Sequence, residues 1–320
     1  MATITNADVR LSALPPATGH AGLRGVLASE FTKLRSVRST YWTISSLVVV
    51  GVGVAAIIGL GISSDISNHP WNKAGTDGTQ SILIPFFELG QLIIAVIGAM
   101  TITSEYSTGM VRTSLTAMPR RGTVYLGKVL VLTAVTLVVS LVTSFLAFFV
   151  GSATLSGSGV AGSLFHNVTV PDGVQFGPGP GFKGGPGPGG PNGPPSYTFQ
   201  GTDVVTAGHV LTAVVGSALF VTAVALIAFG LGAIIRHTAG AITSAIGLMF
   251  VLSIIVQILP ENWRDDISRF FPDAAGRVLS NTLGQPVQHL WSAWPQFGVT
   301  VIWALVLVGV GGYLFRKRDA

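Results

Sequence analysis

The chain has 320 residues, of which 49% are hydrophobic and only 10% are charged, and its formal net charge is +5. Soluble domains carry about 25% charged residues, so this composition argues against a soluble globule and favours a protein whose solvent is lipid. The absence of cysteine excludes disulfide frameworks, cysteine-ligated metal sites and thiol catalysis.

The first 40 residues divide into two parts. Residues 1–20 lack the apolar stretch of a signal peptide, and we predict a disordered cytoplasmic tail there. Residues 21–40 combine apolar residues at helical spacing with basic residues on the remaining face, which predicts an amphipathic helix lying on an anionic membrane surface. The alternative is a solvated helix that packs on another protein. The residues expected at the interface are Phe31, Lys33, Leu34, Arg35 and Arg38.

Six apolar stretches follow, each about as long as the 20 residues that a helix needs to cross a bilayer. None alternates with a period of two, so helices are the structure that satisfies the backbone in lipid. We therefore predict an all-α polytopic membrane protein whose transmembrane domain covers residues 41–320. The spans are expected at about 41–62, 82–103, 129–151, 210–235, 239–259 and 297–315.

The distribution of lysine and arginine predicts the orientation of the spans. If both termini are cytoplasmic, all but five of the 18 basic residues lie on the inner side. The five outer ones are Lys73, Lys183, Arg264, Arg269 and Arg277. We therefore expect both termini to face the cytoplasm.

The most polar inner segment within the body of the chain, Ser104–Lys128, links the second and third spans. It can form a short helix over Glu105–Ala117, with Ser104 as its N-cap and Pro119 ending it. Such a helix could dock on a cytoplasmic partner. A plain loop whose charges only set the topology is an equally good interpretation of the spacing.

Two outer segments are long. Residues 152–205 form a loop in which Gly177–Pro195 consists of glycine and proline apart from Phe182, Lys183 and Asn192. This composition predicts a disordered linker, because it offers too little apolar surface to fold. The second outer segment, Pro260–Pro295, is rich in aromatic residues and is expected to hold one or two short interfacial helices.

One carboxylate lies within a predicted span. Glu88 is about two turns from the outer end of the second span, and Gln91 follows at the i+3 position on the same face. A carboxylate at membrane depth usually faces a bundle interior or a wet cavity. Glu88 and Gln91 are therefore candidates for the transport pathway, and the alternative is a protonated or snorkelling Glu88 with a structural partner.

The sequence offers little catalytic chemistry. Residues Gly122–Lys128 match most of a phosphate-binding Walker A loop, but Val129 replaces the hydroxyl residue that would bind Mg²⁺, and no strand precedes the motif. The histidines are too dispersed to indicate a metal site. We predict no catalytic residue, no metal, no bound cofactor and no nucleic-acid partner.

Several segments resemble the type-2 permeases of ABC transporters, especially those of actinobacteria. They are Leu27–Trp42, Glu105–Gly109, the following Arg112, Leu115, Pro119–Arg121 and Lys128, and Gly230–Ala241. Their order and spacing together are more specific than any one motif. The Gly/Pro-rich loop is longer than the family's usual loop, and it is the one departure from the family's pattern on the outer face.

The resemblance implies a fold and a set of partners. Members have six spans, an amphipathic elbow helix before the first, and a coupling helix between the second and third that docks on a separate ATPase subunit, which binds ATP and Mg²⁺. Two permease copies, identical or different, usually form the exporter in the plasma membrane. The implied coupling residues are Glu105, Gly109, Arg112, Pro119, Arg120 and Arg121.

A stand-alone channel or secondary transporter is the competing function. It predicts transport without ATP and, in general, more buried charge than the single Glu88. The transported molecule cannot be derived from the residues: drugs, lipids, peptides and small cations all remain open.

Overall fold

The structure is a computed structural model of the chain. It describes residues 22–69, 76–110, 121–160, 162–165, 168–169, 175–176, 197–198, 204–283 and 290–318. The predicted tail at 1–20 and the Gly/Pro-rich stretch 177–195 lie outside these residues.

Six helical segments are long and apolar enough to span a membrane, which confirms the predicted fold class. The first four and the last are single helices. The fifth consists of two helices, Thr238–Ile246 and Leu252–Ile258, which are joined by a π-helical turn at Gly247–Val251. All segments except the fifth extend beyond the predicted apolar stretches, and the fifth is shifted by only one residue. The bounds are α2 Arg38–Asn68, α3 Gly78–Thr108, α4 Arg121–Leu155, α5 Ala207–Ile235, α6 Thr238–Ile246, α7 Leu252–Ile258 and α10 Ala293–Arg318.

Helices α3 and α5 form the centre of the bundle. Within their most apolar windows 67% and 72% of the residues are buried, against 17% for α10 and 22% for both α2 and the fifth span. The outer helices keep exposed apolar side chains such as Val49, Ile255 and Leu305. Such continuous apolar surface is stable only against lipid or another protein.

A glycine permits the close crossing of the two central helices. A Cβ atom at Gly98 of α3 would overlap the backbone of Ala225 in α5. Small residues at such points allow helix backbones to approach in a membrane, where packing rather than water exclusion drives association. The large buried side chains Phe86, Phe220 and Phe229 fill the core on either side of the crossing.

A separate helix, α1 (Leu23–Ser36), precedes the first span. It ends at Val37, which has an extended backbone, and α2 begins at the next residue. The helix packs mainly against α4. We call it the elbow helix, and its position at the membrane interface stays a prediction. The end of the bundle that holds it is called the elbow end, and the opposite one the distal end.

Two short antiparallel strand pairs lie between α4 and α5. β1 (Val168–Thr169) pairs with β4 (Val204–Val205), and β2 (Gln175–Phe176) pairs with β3 (Tyr197–Thr198). The second pair lies between the two strands of the first pair in the sequence, so residues 168–169 and 204–205 lie side by side. The sequence did not predict these strands, because each is only two residues long.

Two further helices close the distal end, α8 (Glu261–Ser268) and α9 (Ala274–Ser280). The sequence predicted one or two short interfacial helices in this segment. α9 is buried instead, because it inserts between α3, α5 and α10. Its Gly276 faces Phe87 and Phe220 so closely that a Cβ would lie 2.8 Å from Phe87. The chain just after α9 is held at the start of α3. There the Asp77 carboxylate accepts hydrogen bonds of 2.8 Å from the backbone N–H and 2.7 Å from the hydroxyl of Thr282.

Candidate functional site

The last turn of α3 differs from the short helix predicted over Glu105–Ala117. Ser104 is not an N-cap, because α3 continues through it and ends only at Thr108. Gly109 terminates the helix with φ of +71°, a left-handed conformation that glycine adopts without steric cost. Glu105 therefore belongs to the second span itself, and α3 ends three residues after it, at Thr108.

Glu105 is part of a cluster of four charged side chains, three of them buried and one, Lys33, half-buried. We call it the ion cluster: Glu30, Lys33, Glu105 and Lys128. The ammonium group of Lys128 donates to Glu105 Oε1 at 2.6 Å and to Glu30 Oε2 at 2.7 Å. Lys33 donates to Glu30 Oε1 at 2.8 Å and to Glu105 Oε1 at 3.0 Å. Two carboxylates and two ammonium groups thus join the elbow helix, α3 and α4.

Burial makes the ion cluster energetically demanding. The side chain of Lys128 is 1% exposed, and those of Glu30 and Glu105 are 7% and 9% exposed. Removing such charges from water is costly unless each is paired and hydrogen-bonded, as these are. Burial alone would lower the pKa of Lys33, but its hydrogen bonds with Glu30 and Glu105 raise that pKa above the ordinary value of 10.5. Lys33 is therefore held in its charged form.

The elbow helix approaches α4 closely beside the ion cluster. Val26, one turn before Glu30, is buried against Gly127, where a Cβ would overlap its side chain. The buried face of the elbow helix thus consists of Val26 and Glu30. Of the predicted interfacial residues, Phe31, Arg35 and Arg38 are exposed, while Lys33 and Leu34 are half-buried.

A groove of about 220 Å³ lies beside the ion cluster, between the elbow helix, the start of α2 and the last turns of α3. Leu34 and Val37 border it on one side, and Ile97, Met100 and Ser104 on the other. Glu30, Lys33 and Glu105 of the ion cluster also line the groove, where they bridge the elbow helix to α3. A displacement of the end of α3 can therefore reach the elbow helix through these charges.

The turn between α5 and α6 also rests on the last turn of α3. The guanidinium group of Arg236 lies over the Tyr106 ring, 5.1 Å from its centre, and Thr238 donates a hydrogen bond of 3.0 Å to Thr103. Arg236 has φ of +62°, which is uncommon and unfavourable for a residue other than glycine. One turn of α3 therefore contacts the elbow helix, α4 and the α5–α6 turn.

The other predicted coupling residues are placed only in part. Arg121 begins α4, is half-buried and donates a hydrogen bond of 3.3 Å to the backbone carbonyl of Arg316 in α10. Arg112, Pro119 and Arg120 lie outside the described residues. The segment 111–120 thus connects Gly109 with Arg121, two positions fixed to the elbow end of the bundle.

The pathway candidates Glu88 and Gln91 lie near the distal end. Gln91 donates a hydrogen bond of 3.2 Å to Glu88, as their i, i+3 spacing predicts. Glu88 also forms a salt bridge of 3.5 Å with Arg277 of the inserted helix α9. The Glu88 side chain is 29% exposed, so this carboxylate remains accessible.

Glu30 and Lys128 were not predicted as members of one site. In the sequence, Glu30 falls on the polar part of the amphipathic helix, and Lys128 stands at the end of the polar segment that precedes the third span. The available signal was that Lys128 stands seven residues inside α4, too deep for an isolated charge in lipid. Within the part of the chain that the structure describes, no group of three histidine or acidic side chains could hold a metal ion.

Comparison with known proteins adds one match. The family described as ABC-2 family transporter protein matches residues 58–313 of the chain. The match begins within α2 and ends within α10, so it covers most of the transmembrane bundle. No curated protein matches the chain.

Proposed function

The chain belongs to the ABC-2 family of transporter proteins, and we propose that it is the permease subunit of an ATP-driven exporter whose ATPase is a separate polypeptide. The observation that carries the proposal is the ion cluster, which ties the last turn of α3 to the elbow helix directly before segment 111–120. This segment is the proposed docking site for the ATPase. ATP and Mg²⁺ bind to that partner, and the sequence of this chain carries no complete Walker A motif.

Coupling proceeds through the elbow end. ATP binding closes the ATPase dimer and pushes segment 111–120. Because this segment begins next to Gly109, the push acts on the last turn of α3. The ion cluster transmits the displacement to the elbow helix and α4, and the Tyr106–Arg236 contact transmits it to the α5–α6 turn. Well-packed elements move as rigid bodies, so a small shift at one end tilts whole helices.

The working exporter contains two permease copies, identical or different. The support is the exposed apolar surface of α2, the fifth span and α10, which extends over many turns. Part of this surface faces lipid and part forms the seam between the copies. The substrate pathway runs along α3 and the fifth span, with Glu88 accessible near its distal end. The distal end faces outward in the plasma membrane, in agreement with the distribution of basic residues.

Co-purification tests the proposal. The chain, carrying an affinity tag, is expressed with the soluble ATPase encoded beside it and extracted in detergent. We expect a stable complex that hydrolyses ATP when reconstituted in lipid nanodiscs. A double variant with Glu105→Ala and Arg112→Ala should insert normally but transport poorly. Failure of every neighbouring ATPase to bind, or transport by the chain in the absence of ATP, would contradict the proposal.

A further inference from the structure

The start of α4 crosses the end of α10 at the elbow end of the bundle. The hydroxyl of Tyr125 donates a hydrogen bond of 2.7 Å to the backbone carbonyl of Val308, and its ring lies 5.5 Å from that of Phe315, measured between ring centres. A Cβ atom at Gly312 would lie only 2.9 Å from the Tyr125 ring. These contacts hold the two helix ends in a fixed relative position.

Two guanidinium groups lie at this crossing. Arg121, the first residue of α4, donates a hydrogen bond of 3.3 Å from its guanidinium group to the backbone carbonyl of Arg316. The guanidinium group of Arg316 lies in turn against Gly122, the next residue of α4, where a Cβ atom would overlap it. The arginine of each helix end thus reaches the backbone of the other, and two positive charges occupy one crossing.

No carboxylate among the described residues balances these two charges. Neither Arg121 nor Arg316 forms a salt bridge within the described part of the chain, and the carboxylates described at the elbow end belong to the ion cluster, where lysines already bind them. The sequence adds to the excess, because residues 120–121 and 316–319 hold five basic residues and one acidic residue, Asp319. An anion that contacts both guanidinium groups would relieve their mutual repulsion.

An exposed apolar surface begins directly beside these charges. Its side chains are Leu126 and Leu130 on α4 and Val306, Val310 and Tyr313 on α10. They follow Gly122 and precede Arg316 at intervals of three or four residues, so on each helix they share one face. Each helix therefore presents an apolar stripe that runs from the cations into the membrane-spanning part of the bundle.

We propose that this crossing binds one anionic phospholipid of the membrane leaflet at the elbow end, with Arg121 and Arg316 on its phosphate and the two apolar stripes along its acyl chains. A guanidinium group matches a phosphate with paired N–H donors, and Arg121 uses only one of its five on the Arg316 carbonyl. Lys317, whose ammonium group lies 5.7 Å from the centre of the Tyr313 ring, adds a third cation at headgroup level. A free phosphate would satisfy the cations but leave the stripes uncovered. The inference depends on a bilayer around the chain, not on coupling to an ATPase.

Native mass spectrometry of the full-length chain, purified in detergent without any ATPase and titrated with dioleoylphosphatidylglycerol, tests the inference. We expect one molecule of this lipid per chain to bind at least about tenfold more tightly than dioleoylphosphatidylcholine, whose headgroup carries a cation of its own. Arg316→Gln should weaken the binding by at least about fivefold. Arg316→Lys should weaken it less, because it keeps the charge and loses only the planar fork.

A matched control removes a different cation at the same end. Arg24, on the elbow helix, is exposed, and Arg24→Gln should bind the lipid as the wild type does. Equal losses in Arg24→Gln and Arg316→Gln would indicate a general attraction to a basic surface and overturn the site. Arg121→Gln removes the other guanidinium group and carries the test if Arg316→Gln does not fold.

Glycerol 3-phosphate distinguishes a lipid from a free phosphate, because it has the phosphate without acyl chains. We expect it not to displace the bound phosphatidylglycerol at equal concentration. Displacement would assign a site for free phosphate and overturn the inference. Wild-type affinity in both arginine variants, or equal affinity for the two lipids, would overturn it as well.

Discussion

The ammonium group of Lys128 lies 2.6 Å from the Glu105 carboxylate, and this contact joins the third span to the last turn of the second. Both side chains are almost completely buried. Lys128 also bonds to Glu30, so the elbow helix meets both spans at the same point. The charges that couple these three elements are thus enclosed within the protein.

The free energy of unfolding should depend on the pairing of these charges. Lys128→Met removes the cation and leaves two carboxylates with Lys33 alone, and breaking a buried pair costs about 3 to 5 kcal/mol. The double variant Glu105→Gln, Lys128→Met removes one charge of each sign and should lose less stability than the two single variants together. Thermal unfolding in detergent measures all four proteins. Strictly additive losses would contradict the pairing.

Glu105→Gln should separate ATP hydrolysis from transport. The substitution preserves the shape of the side chain but removes the charge that holds Lys33 and Lys128. In the complex with its ATPase, we expect continued hydrolysis and transport reduced by about five- to 150-fold, the range of typical coupling energies. Ser107→Ala alters an exposed residue of the same turn and serves as the control. An equal fall in both activities in Glu105→Gln would indicate a general loss of structure instead.

Close packing of α3 against α5 predicts that alanine substitutions at two glycines will change the stability of the protein to different extents. Gly98→Ala would place a methyl group against the Ala225 backbone, and such overpacking costs about 1 to 3 kcal/mol. Gly53→Ala in α2 meets nothing within 4 Å and should leave stability unchanged or slightly higher, because alanine favours helix. Melting temperatures of the two variants in detergent compare them directly. Equal melting temperatures would contradict the crossing of α3 and α5.

The orientation of the chain can be tested with single cysteines, because the natural sequence contains none. We expect Asp266→Cys at the distal end to react with a membrane-impermeant maleimide in intact cells. Ser107→Cys at the elbow end should react only after permeabilisation, since the positively charged segments keep that end inside. The reverse pattern would show that the chain is inserted the other way round.

Local sequence features predicted the fold class well. Each of the six spans is a long apolar stretch, and the cost of leaving backbone groups unpaired in lipid makes a helix the necessary structure. The short segments were less predictable. The sequence placed Glu105 at the start of a separate helix, whereas α3 continues through it, because nothing in the residues 104 to 108 stops a helix before Gly109.

The sequence by itself determined that this chain is a six-span membrane protein of the ABC-2 type, since hydrophobic length and motif order are properties of contiguous residues. Only the tertiary structure decided that Glu30 and Lys128, 98 positions apart, neutralise each other, and that α9 inserts far enough for Arg277 to reach Glu88. Such pairings depend on which helix faces meet, and the packing of the whole bundle sets that arrangement.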